Sequence, residues 1–383
     1  MTSLDIETLL NDPATKIIVC CGSGGVGKTT LAAALGVRAA EHGRRVVTLT
    51  IDPARRLAQS LGLEELDNVP RKVAGVRSTR KSPSGGELHA MMLDMKRTFD
   101  EIVEAHATPA KAAQILANPF YQSLSSSFAG TQEYMAMEKL GQLRASGQWD
   151  LIVVDTPPAR SALDFLDAPA RLARFLDGRF IRMLLVPAKV GSRGYAKVMQ
   201  VGLGLVTNTM TKLLGTQLLT DVQTFVAAMD TMFGGLRQRA DATAKLLRAP
   251  GTVFVVVASP EPDALREASF FVDRLVEEEM PLAGVVVNRV HRSTAPQITA
   301  AQALSAADAL DAEDDADSAL VAGVLRVHAE RMTTQATEQR RVDGFALAHP
   351  NVKLTSARAL AQDVHDLTGL RALGTALCEP APA

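Results

Sequence analysis

Gly22-Ser23-Gly24-Gly25-Val26-Gly27-Lys28-Thr29 packs four glycines, one lysine and two hydroxyls into eight residues. Glycines at that spacing let successive backbone N–H groups turn inward on an anion. Lys28 adds a cation for the terminal phosphates, and Thr29 offers a hydroxyl to a divalent ion. Such a loop suits binding and transfer of nucleotide phosphates. Two aspartates each close an apolar run: Asp155 ends Leu151–Asp155 (LIVVD), and Asp52 ends Val46–Asp52 (VVTLTID). Asp155 reads as the carboxylate linked to Mg²⁺, or as a helix N-cap ahead of Pro157-Pro158. Asp52 reads as the carboxylate that orients an attacking water, or as the cap of a helix beginning near Pro53.

These residues need a scaffold, and the apolar pattern supplies one. Lys16–Cys21 and Val46–Ile51 are short β-type runs flanking the Ala- and Leu-rich stretch Thr29–Glu41, which is a βαβ unit. Further strands are expected over Leu88–Leu93, Asp150–Val154, Thr252–Ala258, Gly284–Val287 and Val352–Leu354. Continuous apolar runs of this kind suit parallel strands covered on both faces. The predicted fold is α/β: a doubly wound, mostly parallel sheet of the P-loop type, carrying an inserted helical subdomain. One domain is expected over 16–373, with helical insertions at about 95–143 and 187–249 and tails at 1–15 and 374–383. Ala357–Leu373 reads as a last helix. Ala301–Leu325 has no base, and the cluster running from Asp308 to Asp317 reads as an exposed acidic loop or a frayed helix.

The 41 Lys and Arg balance 42 Asp and Glu, so no basic field is available for a general nucleic-acid coat. The three cysteines, Cys20, Cys21 and Cys378, form no CxxC and allow neither a disulfide framework nor a four-thiolate zinc site. The N-terminus carries no basic and apolar leader, and no run of 18 apolar residues occurs. A cytoplasmic location without an integral membrane span is expected.

Together the three phosphate-site motifs resemble the arsenite-pump ATPase and tail-anchored-protein targeting ATPase family, with its deviant phosphate loop. The matching stretches are Gly22–Thr30, Asp52–Leu57 and Asp155–Leu166, with weaker matches at Val256–Glu267 and Val285–Val290. The resemblance implies an ATPase using ATP and Mg²⁺, and a face-to-face dimer. It implies phosphate binding by Gly24, Gly25, Val26, Gly27, Lys28, Thr29 and Thr30. It also implies Mg²⁺ at Thr29 and Asp155, catalysis by Lys28 and Asp52, adenine reading by Asn288, and Glu261 facing the partner's nucleotide.

The departures carry information. The family's first loop lysine, which reaches the partner's phosphates, is Ser23 here, and the switch histidines are Arg55 and Ser161. A heterodimer with a paralogous chain that keeps its lysine is therefore expected, with a homodimer as the alternative. A protein client is a further expectation. Met199, Met210, Met229 and Met232 fall where relatives build an apolar client groove, although ordinary core packing explains the same spacing. Rival functions are a partition- or division-site-type ATPase, a nucleotide-dependent biosynthetic enzyme with a small-molecule acceptor, and a nucleotide-locked structural subunit. Within Asp363–Leu377, Arg371 is the only Lys or Arg, which disfavours a basic membrane-binding helix.

Overall fold

The structure, a computed structural model, describes residues 3–52, 56–77, 86–119, 121–122, 125, 131–157, 238–239, 241–313 and 315–378. The chain divides into two compact units. The first comprises Met1–Met92, Gly147–Leu163 and Leu247–Ala383, and the second Leu93–Ser146 and Asp164–Leu246.

The first unit holds an eight-stranded sheet: β1 (Ile17–Gly22), β2 (Arg45–Thr50), β3 (Arg71–Lys72), β4 (Glu87–Met92), β5 (Leu151–Asp155), β6 (Thr252–Ala258), β7 (Leu282–Val290) and β8 (Leu354–Arg358). The strand order is β3-β4-β2-β5-β1-β6-β7-β8, and only β3 pairs antiparallel. This is the mostly parallel α/β sheet the apolar runs require. In β1 and β5 every residue is buried, as expected for strands covered on both faces. Ile18, Cys20, Val153, Val255 and Val257 join one core cluster with α1 (Ile6–Asn11), α2 (Lys28–Glu41) and a C-terminal helix. The helix Pro262–Glu277 packs on β6, β1 and β7.

β1 leads straight into the phosphate loop. Gly22 has φ +144°, and a Cβ there would sit 2.1 Å from the Val257 carbonyl oxygen, so the strand end tolerates only glycine. The parallel order brings the C-terminal ends of β1, β2, β5, β6 and β7 to one edge, which is where an open α/β sheet builds its site.

Numbered along the chain, the remaining helices are α3 (Arg56–Ser60), α4 (Met95–His106), α5 (Pro109–Leu116), α6 (Thr131–Ala145), α7 (Pro262–Glu277), α8 (Ala300–Asp311), α9 (Ala316–Ala348) and α10 (Leu367–Cys378). In the second unit Asp94 caps α4 by accepting from the Arg97 N–H at 2.9 Å, and Phe99 meets Tyr121 edge to face with ring centres 5.6 Å apart. Lys139 pairs with Glu101 at 3.0 Å, and Arg239 with Glu138 at 3.0 Å.

Several expectations need correction. Ala301–Leu325 is mostly helical: it spans α8 and the start of the 33-residue α9, and only Ala312, Glu313 and Asp315 of its described residues lie in the exposed connection between them. Its acids are structural. Asp315 caps α9 by accepting from the Ser318 N–H at 3.1 Å, and Asp308 and Asp311 both pair with Arg326. The countercharge lies across the hairpin, beyond the window in which the acids stood alone. The stretch read as an N-terminal tail contains α1, whose Ile6 and Leu10 are buried and whose Glu7 pairs with Arg38 at 2.7 Å. Leu354–Arg358, where a helix from Ala357 was expected, is β8, and α10 begins later, at Leu367. Met199, Met210, Met229 and Met232 lie outside the described residues.

Candidate functional site

The loop between β1 and α2 is held from two sides. Gly25 has φ +79° and Gly27 has φ +92°, both in the left-handed region that glycine accepts without strain. A Cβ on Gly27 would lie 2.4 Å from the Asn288 Nδ2, because that amide donates to the Val26 carbonyl at 2.9 Å. Arg289 donates from Nη1 to the Gly25 carbonyl at 3.0 Å, and its backbone N–H donates to the Asn288 Oδ1 at 2.9 Å. Arg289 itself has φ +61°, a conformation that costs a non-glycine residue. Gly27 caps the start of α2 without a side chain, so the first N–H groups of the helix are left for the loop's ligand, with the positive end of the helix dipole behind them.

Lys28 is buried, and its ammonium donates to the Ser23 carbonyl at 2.7 Å, across the mouth of the loop. Burial lowers its pKa, a shift opposed first by Asp155. Thr29 donates its hydroxyl to the Asp155 Oδ2 at 2.7 Å, and Thr50, from the end of β2, donates to the same oxygen at 2.9 Å. Asp155 is completely buried, which pushes its pKa up to about 6 against the pull of the Thr29 and Thr50 hydroxyls and Lys28. Its Oδ1 is buried without a hydrogen-bond partner. A buried carboxylate oxygen left open beside a threonine hydroxyl forms an oxygen donor set that fits a hard divalent cation.

Gly24, Gly25, Gly27, Lys28, Thr29, Thr30, Asp52 and Asn288 line one cleft of about 930 Å³. It is also lined by Arg358 at the end of β8 and by the segment that follows, including Gln362, Asp363 and His365. Asp155 lies behind Thr29, in contact with the cleft through that hydroxyl. Glu261 is not in this cleft. It lines a second, smaller cavity of about 390 Å³ with Ser23, Val26, Asp263, Glu267 and Arg289. Asp52 stands at the end of β2, its N–H donating to the Thr50 hydroxyl at 3.2 Å. Arg56 reaches the larger cleft, whereas Arg55 and Ser161 lie outside the described residues.

Reasoning from the sequence missed Thr50, Arg289 and the segment after β8. Threonine at a strand end carries no distinguishing signal, and a left-handed arginine is invisible to pattern. It also missed Glu338 of α9, which is buried and accepts from the His291 backbone N–H at 2.8 Å and lies 2.7 Å from the His291 Nδ1. That pair ties the long helix to the rim of the cleft, where His291 stands.

Comparison with known proteins agrees with this geometry. Residues 15–308 match the family described as Anion-transporting ATPase, well over half of the chain. A protein named ATPase GET3 from Malassezia globosa is 29% identical over 171 residues, covering 45% of this chain and 47% of that protein. The protein named ATPase get3 from Schizosaccharomyces pombe is 25% identical over 357 residues, covering 92% of this chain and 97% of that one. A protein named Putative arsenical pump-driving ATPase from Prosthecochloris vibrioformis is 28% identical over 162 residues, covering 41% of this chain and 36% of that one.

Proposed function

We propose a function from one established premise: the chain belongs to the anion-transporting ATPase family and is an ATP hydrolase. In this reading Mg·ATP occupies the larger cleft. Its binding and hydrolysis switch a dimer that acts on a protein client or partner. The observation that carries it is the loop Gly22–Thr29 standing between β1 and α2, with Thr29 hydrogen-bonded to the buried Asp155.

The loop amides and the α2 N-terminus bind the phosphates, and Asn288 recognises the base. On ligand binding the Lys28 ammonium leaves the Ser23 carbonyl for the β- and γ-phosphates, where it stabilises the charge that builds during transfer. Asp52 orients a water in line with the terminal phosphorus. Thr29 and Asp155 would hold Mg²⁺, which would neutralise charge on the terminal phosphates. Glu261 and Ser23, in the smaller cavity, face the second subunit.

Two features weigh against the rivals. α10 is docked: Leu370, Leu373 and Leu377 are buried, and Arg371 donates to Glu41 at 2.8 Å, which is unlike a free membrane-seeking helix. No described helix is long and apolar enough to cross a membrane. Metalloid handling lacks thiolates of the right kind. Cys20 and Cys21 are buried, and burial raises the Cys21 thiol to about 12.

Lys28→Ala tests the reading. It should lower ATP affinity sharply and remove nearly all phosphate release, because it deletes the only lysine of the phosphate loop. Calorimetric titration with ATP and a phosphate-release assay provide the measurement. Near-normal values for both would sink the assignment.

A further inference from the structure

Outside the cleft, the largest unexplained feature is the hairpin of α8 and α9. Its seam is built from small residues: Ala303 and Ala307 on α8, and Ala322 and Ala329 on α9, all buried. Arg326, on the same side of α9, pairs with Asp308 and Asp311. At 100° per residue the opposite face of α9 carries Asp317, Leu320, Val321, Val324, Val327 and Arg331. That face is open: Leu320 is 69% exposed, Val324 and Val327 62%, and Val321 48%. Single exposed aliphatic residues are ordinary, but four along one stripe of one helix are not.

The stripe is self-complementary. Take Val324 as the centre of a two-fold axis crossing two antiparallel α9 helices. Val324 then meets itself, and Val321 meets Val327 of the second copy. Asp317 and Arg331 lie seven residues to either side, about 10 Å along the axis. Each Asp317 therefore faces an Arg331 of the other chain, twice over. Both side chains are exposed, and neither has an ion pair or side-chain hydrogen bond among the described residues. The surrounding acids, Glu313, Asp315 and Asp317, make an anionic membrane a poor alternative occupant.

We propose that the outer face of α9 is a self-association surface, pairing antiparallel with the same face of a second copy of this chain through the Leu320–Val327 stripe and reciprocal Asp317–Arg331 ion pairs. The patch spans only four turns, well below the roughly 800 Å² per partner of a stable interface, so the contact is weak and reversible. It gains strength where copies are already held together by another interface. It is separate from the phosphate loop and needs no nucleotide.

Sedimentation velocity on the full chain without nucleotide, from about 1 to about 100 µM, reads the association directly. Asp317→Arg alone and Arg331→Asp alone should each weaken it by at least about tenfold, since each places like charges opposite one another. The double swap D317R/R331D should restore it. Val324→Asp should remove it while leaving the melting temperature unchanged, the position being solvent-facing. No association at the top of the range, association indifferent to all four variants, or co-sedimentation of the wild-type chain with phosphatidylserine vesicles in place of self-association would each overturn the proposal.

Discussion

Asp52→Asn and Asp155→Asn remove one charge each from the same edge of the sheet, and the two should fail differently. Asp52 lines the cleft and meets the Thr29–Asp155–Thr50 cluster through its backbone N–H, which donates to the Thr50 hydroxyl. Its amide variant should bind ATP normally and hydrolyse it slower by a factor on the order of 10²–10⁴, the range of a lost water-positioning acceptor. If Asp52→Asn instead lowered thermal stability and kept its turnover, Asp52 would be a helix cap and no more. Asp155→Asn acts on metal binding and on folding. A carboxyl whose folded pKa is raised to about 6 costs stability once pH exceeds its unfolded value, because the folded state resists ionising it. A neutral amide can still donate to the Thr29 and Thr50 hydroxyls. The nucleotide-free variant should therefore melt at the same temperature or higher at pH 7, and its ATP binding should no longer respond to Mg²⁺. Calorimetry with and without Mg²⁺, beside a thermal melt, checks both halves.

At the scale of elements, α9 shows what a helix outside the phosphate site contributes to it. Glu338, His328 and Gln335 all reach from α9 to the segment after β7: Glu338 to His291, Gln335 to the Ser293 N–H at 2.8 Å, and the His328 ring to the Ile298 carbonyl at 2.8 Å. Glu338→Ala leaves the His291 N–H without its acceptor, a loss of about 1–3 kcal/mol. Faster hydrogen exchange confined to residues 291–298 is the expected result, and unchanged exchange there would refute the role. The same helix marks where the sequence stops being informative. β1, α2, β2, β5 and β6 were legible because each is a local pattern: an apolar run, a glycine turn, an Ala-rich helix. The phosphate-loop residues were legible because the chemistry of the loop constrains eight consecutive positions. α9 was not, since its acids are balanced by Arg326, which stands 15 residues beyond Asp311, and its seam is alanine, which carries little periodic signal. Arg289 was hidden for another reason: its role depends on a backbone conformation that residue type does not encode.

At the scale of the whole molecule, the chain pairs a complete phosphate loop with a missing cation. Ser23 is nearly buried, its hydroxyl has no hydrogen-bond partner, and its carbonyl already receives Lys28. It opens onto the smaller cavity, whose rim carries Glu261, Asp263 and Glu267. Arg289 also lines this cavity, but its guanidinium is held on the Gly25 carbonyl at 3.0 Å, and the three carboxylates suit a further cation arriving from a second subunit. In a homodimer both sites would lack the lysine that the family's first loop position lends across. In a heterodimer with a paralogous chain that keeps its lysine, the site built on Lys28 is completed and the partner's own site goes without. A trans cation on a developing γ-phosphate charge is worth on the order of 10³–10⁵ in rate. The chain alone should therefore hydrolyse ATP weakly. Ser23→Lys should raise that rate, and the lysine-bearing paralogue should raise it further and form a one-to-one complex by light scattering. Arg56, which reaches the larger cleft, is the cis substitute to exclude, so Arg56→Ala belongs in the same assay. Full turnover by the chain alone, indifferent to Ser23→Lys and lost in Arg56→Ala, would make the protein a self-sufficient homodimer and overturn the heterodimer.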